Sequence, residues 1–193
     1  MKPATNSAKA LSPLALMRRA LTRGFRRNER GAVAVEFALL ALPFFAIIGA
    51  IMETSFFFLS SQLLDSAVDT SARLLRTGQA QTQDFTITDF RDSICDGLFG
   101  LFTCEKLHIK VEKIGHFVDA NFSYPLDVDP LSGETSWNAE DVYSPGSGRD
   151  IIVVRVFYKW PTTLDILGFN LSNAGTGYRL MASARVFMNE PFS

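Results

Sequence analysis

The stretch "ERGAVAVEFALL", residues 29–40, places one carboxylate, Glu36, five residues past Gly31 and just inside a long apolar run. An ionised carboxylate in lipid costs several kcal/mol unless it is paired. Arg26, Arg27 and Arg30 already anchor the basic flank, so a partner charge deeper in the run explains Glu36 better than a headgroup position does. Cutting the chain after Gly31 creates such a partner, the new ammonium of Ala32. Glu36 then lies four residues on, on the same helical face. In a straight helix it cannot easily reach its own terminus. It can pair with the terminus of a neighbouring subunit packed alongside.

Two further groups invite a chemical reading. Cys95 and Cys104 bracket a small loop. Closing that loop as a disulfide would stabilise the fold by about 2–3 kcal/mol on the chain-entropy account. A reactive thiol and half of a metal site are the other readings, although two thiols and His108 alone do not complete a zinc site. His108 falls on the polar face of a strand and His116 opens another, so both are expected to be solvated. Phosphate-binding glycine motifs, HExxH, CxxC and GxSxG are absent from the sequence. No enzyme activity, metal or cofactor is expected.

The elements that position these residues can be read from charge and periodicity. Residues 1–31 carry eight basic groups against Glu29 alone, a net of +7, while residues 32–193 carry eleven against nineteen, a net of −8. A basic tail can bind nucleic acid. Abutting an apolar run, it reads instead as the cytoplasmic flank of a membrane segment, and no nucleic-acid partner is expected. Phe37–Met52 is free of charge, and apolar character resumes after Glu53. A helix from about Ala32 to Leu59 is long enough to span. Pro43 should kink it. If the tail is cytoplasmic, both cysteines face an oxidising compartment.

Past Leu59 the pattern becomes amphipathic. Leu63, Leu64, Ala67, Val68, Ser71, Leu74 and Leu75 share one stripe, Asp69 precedes Arg73 at ion-pair spacing, and Gly78 is a stop signal. A short helix is expected around 88–99. Alternation then predicts four half-buried strands, at 107–112, 118–124, 152–160 and 180–188. A loop at 125–150 separates the second strand from the third. The third strand's second face, with Arg155 and Lys159, is mixed. An antiparallel sheet of about four strands, packed on the amphipathic half of the long helix, gives each layer the apolar face it lacks. The fold class is α+β.

These residues carry a resemblance. A basic leader, Gly31, four small or apolar residues, Glu36-Phe37 and an apolar helix resemble the cleavage motif of type IV prepilins. With "QLLDSAVDTSARLLRTGQAQ", the cysteine pair, "DIIVVRVFYKWP" and "ARVFMNEPF", the chain is similar to the TadE-like proteins, minor pseudopilins of the tight-adherence (Tad/Flp) pilus system. The resemblance implies a cut between Gly31 and Ala32 by a prepilin peptidase. It also implies an assembly role for Glu36 and the adjoining Phe37. The partners it implies are other pilins and pseudopilins, an inner-membrane pilus platform and membrane lipid. Mature position one is Ala32, where many type IV pilins have Phe.

The expected organisation is a removed cytoplasmic leader (1–31), a transmembrane helix (32–59), its amphipathic continuation (60–78) and a periplasmic α+β domain (79–193). The expected location is the bacterial inner membrane, with the mature protein joining a pilus. The rival expectation is an uncleaved single-pass protein that binds a ligand through the 125–150 loop and Trp137.

Overall fold

A computed structural model describes residues 29–128, 135–138, 140–162, 165–166, 169–170, 172–174 and 177–192. The basic leader up to residue 28, part of the 125–150 loop and the Trp137 side chain lie outside the described residues. The chain divides into two units, one ending at Ile48 and one running from Gly49. A single helix, α1 (Glu29–Arg76), begins in the first and ends in the second.

In the first unit the helix is apolar on every side and nothing covers it. Val33, Val35, Phe37, Leu39, Leu40, Leu42, Phe44, Phe45 and Ile47 are all more than half exposed. Such a surface is stable against lipid and not against water. Pro43 lies inside the helix without ending it.

In the second unit the same helix turns amphipathic. Ser60, Leu64, Ala67, Val68, Ser71, Ala72 and Leu75 form the buried stripe, with Leu74 packed at its margin. The helix stops at Gly78, whose φ of +78° is one that residues with a Cβ avoid. A Cβ at Gly78 would also lie 2.4 Å from the Phe192 ring. A single turn, α2 (Gln79–Thr82), precedes α3 (Ile87–Asp96). Thr86 and Asp89 cap α3 reciprocally: Asp89 N–H donates to Thr86 Oγ1 at 3.3 Å and Thr86 N–H to Asp89 Oδ2 at 2.8 Å. Phe90 and Ile94 of α3 are fully buried in the core.

The main sheet holds β1 (His108–Ile114), β4 (Val142–Tyr143), β5 (Ile151–Pro161) and β8 (Tyr178–Met188) in the order β4-β1-β5-β8. Ile109 and Val111 of β1, Ile152, Val154, Val156, Tyr158 and Trp160 of β5, and Met181 of β8 join the α1 and α3 side chains in one core. Three of the four expected strands are therefore present, and the helix-on-sheet architecture is as expected.

The fourth is a correction. Residues 118–124 form no strand; a 3-10 turn occupies Phe117–Asp119, and chain without regular structure follows. Asp119 Oδ2 accepts the His116 N–H at 2.9 Å, and this local bond competes with a sheet ladder. The fourth place in the sheet goes to β4, which runs parallel to β1, so the sheet is mixed and not purely antiparallel. A two-residue strand is too short to announce itself by alternation.

The loop regions also hold more structure than alternation foretold. β2 (Leu126–Val128) pairs antiparallel with β3 (Thr135–Trp137), and β6 (Asp165–Ile166) with β7 (Phe169–Asn170). The second face of β5 is closed: Val153 and Phe157 are buried beside Arg155, which is only 9% exposed. Arg155 Nη1 donates to the Asn121 carbonyl at 2.9 Å, and its Nη2 pairs with Glu112. The chain after His116 thus lies over this face and leaves a cleft of about 210 Å³ beside Arg155, Tyr124 and Lys110.

Candidate functional site

Gly31, Ala32, Glu36 and Phe37 all lie in the first turns of α1, which begins at Glu29, three residues before the expected start at Ala32. Nothing approaches within 4 Å of where a Gly31 Cβ would stand. Ala32, Glu36 and Phe37 are exposed. Helical spacing sets Ala32 and Glu36 one turn apart on one face, about 6 Å along the axis. Glu36 is therefore a single carboxylate on an uncovered apolar cylinder, open to a partner from outside the chain.

Cys95, on α3, and Cys104, at the start of the 3-10 turn Cys104–Lys106, are joined in a disulfide with Cα atoms 6.0 Å apart. The bond closes the loop that carries Leu98 and Phe102 into the core. Its place is structural, fixing the descent from α3 into β1.

The two histidines are not brought together. His108 opens β1, opposite Phe157, whereas His116 follows the other end, where Ile114 faces Ile151. His116 is exposed, as expected. His108 is not simply solvated: it is half-buried, with Nδ1 3.6 Å from Asp141 Oδ1. Burial holds its pKa below the ordinary value of 6.5 and outweighs the attraction of Asp141. The positive charges of Arg91 and Lys159 lower it further, and Arg91 is held close by Asp141. The Asp141 carboxylate receives Arg91 at 2.5 Å and the Ile109 N–H at 3.0 Å. Asp141 thereby ties α3 to β1 at the point where β4 joins, a role its loop sequence did not announce. Among the described residues no three His, Cys, Asp or Glu side chains gather as a metal site.

The one site feature of α1 is thus a small residue, an open helix face and a carboxylate, in that order, at the head of a long apolar helix. Residues 31–73 match the family model of TadE-like proteins. This stretch is similar to TadE-like proteins. The match begins at Gly31, runs through the uncovered part of α1 and continues into the buried stripe as far as Arg73. No curated protein and no solved structure matches the chain. The matched segment covers less than a quarter of the chain. It coincides with a helix, Gly31–Arg76, that is long and apolar enough to cross a membrane, which fits a single-pass membrane protein.

Proposed function

We propose that this chain is the precursor of a TadE-like minor pseudopilin. A prepilin peptidase cuts it after Gly31 on the cytoplasmic side and removes the basic leader. The mature helix anchors in the inner membrane from Ala32, and the α+β domain stands in the periplasm. Glu36 then receives the Ala32 ammonium of a neighbouring pilin or pseudopilin, while Phe37 packs beside it, and the subunit enters a pilus assembled on an inner-membrane platform.

The observation that carries this reading is the register of Gly31 and Glu36 at the head of an uncovered apolar helix. Outside an assembly, a carboxylate there has no reason to be retained in lipid. The disulfide between Cys95 and Cys104 supports the periplasmic placement, since such bonds persist in oxidising compartments.

Co-expression of the full chain and of Gly31→Ala with a prepilin peptidase tests the reading. The parent chain should shorten by its leader and the variant should not. Failure of the parent chain to shorten, like the variant, would favour an uncleaved, membrane-tethered binding protein.

A further inference from the structure

The outer domain carries an exposed apolar loop tip, Phe99 and Leu101, linked by aromatic contacts to α1 near Phe56. If the span starts near Ala32, a hydrocarbon core of about 30 Å takes about 20 residues of helix, which ends it at Met52. Glu53 is the first carboxylate beyond. Phe56 follows within one turn, inside a headgroup layer about 5–8 Å thick.

Phe56 fixes the height of the domain. Its ring lies 5.7 Å from that of Trp160, at the end of β5, and the Trp160 ring lies 5.3 Å from that of Phe102. Phe102 closes the disulfide-clipped loop, whose tip leaves Phe99 79% exposed and Leu101 39% exposed. Phe99 holds this place at a φ of +51°, a conformation that a bulky residue rarely adopts. On the same rim the Arg179 guanidinium lies 4.5 Å over the Phe57 ring. Aromatic rings mixed with a cation are the composition of a membrane–water boundary.

We propose that the Cys95–Cys104 loop is a membrane foot: Phe99 and Leu101 enter the headgroup–acyl boundary of the leaflet from which α1 emerges. The occupant is lipid because the loop is tethered at that height by Phe56 and Trp160, and because Phe58 and Leu59, the helix residues that follow Phe56 and Phe57, are themselves uncovered apolar side chains. The foot would hold the sheet at one tilt to the bilayer before the subunit enters an assembly. It rests on the membrane-span reading of α1.

Benzoylphenylalanine placed singly at Phe99, Phe45 and Val118 of the full chain, in phosphatidylethanolamine–phosphatidylglycerol vesicles, tests it by ultraviolet cross-linking and mass spectrometry. Val118 is 88% exposed and follows β1 at the end that faces Ile151, away from Trp160. The expected result is a mass increase of one phospholipid at positions 45 and 99 and none at 118. Lipid at 45 with none at 99 overturns the foot and leaves the span standing. Lipid at neither overturns both, and an adduct at 99 made only to a second copy of the chain overturns the foot in favour of a protein contact.

Discussion

The guanidinium of Arg185 on β8 donates to the carboxylate of Asp69 on α1 at 3.0 Å. One turn earlier on the helix, Asp65 accepts the Ser183 hydroxyl at 2.5 Å. The two bonds tie the helix to the edge strand, and they differ in burial. Asp69 is 62% exposed and should contribute about 0.5 kcal/mol. Ser183 is buried, so Asp65→Ala leaves a buried hydroxyl without its acceptor and should cost about 1–2 kcal/mol. Urea unfolding of the full chain in detergent should show a clear fall in midpoint for Asp65→Ala and little for Asp69→Ala. Equal effects would contradict this assignment.

The same residues show what the sequence could and could not tell. Helical spacing offered Arg73 as the partner of Asp69, but the carboxylate reaches Arg185 instead. A periodic pattern reports which face of an element is apolar, and it placed the α1 stripe, β1, β5 and β8. It does not report which strand lies beside which. Phe117–Tyr124 alternates well enough for a strand yet bonds to itself through Asp119, and the two-residue β4 takes the vacant edge. Alternation placed Arg155 on a mixed face but could not show that it is buried, because the chain that covers it is distant in sequence and irregular in structure. At the candidate site, the cysteine pair was legible because local spacing carries it. Asp141 was not, because its partners Arg91 and Ile109 come from other elements.

Replacing both Cys95 and Cys104 by Ala releases a short loop and should lower stability by about 2–3 kcal/mol. The loss should appear as a lower urea midpoint, equal to that of the parent chain under reductant. A parent chain indifferent to reductant would argue against a structural role for the bond.

His108 should titrate below the ordinary histidine value of 6.5, because burial disfavours its charged form. Between the folded and unfolded values the unfolded chain binds a proton that the folded chain refuses. Stability should therefore fall as pH drops from about 7 through the unfolded value and level off once below the folded one. His108→Gln should flatten that part of the profile. An NMR titration that places His108 at or above 6.5 would sink the argument.

Glu36→Ala should leave peptidase cutting intact, since the residue lies beyond the cut, yet impair entry into the pilus. The check is the ratio of processed subunit in sheared pili to that in membranes. Glu36→Gln should behave like Ala, because the partner requires a charge. Normal incorporation of either variant would remove the pairing role.

The most direct test is the amino terminus of the protein isolated from its native membrane. The account predicts that the first residue is Ala32, with the arginine-rich leader gone. A chain that still begins at Met1, or at any residue other than Ala32, would contradict it.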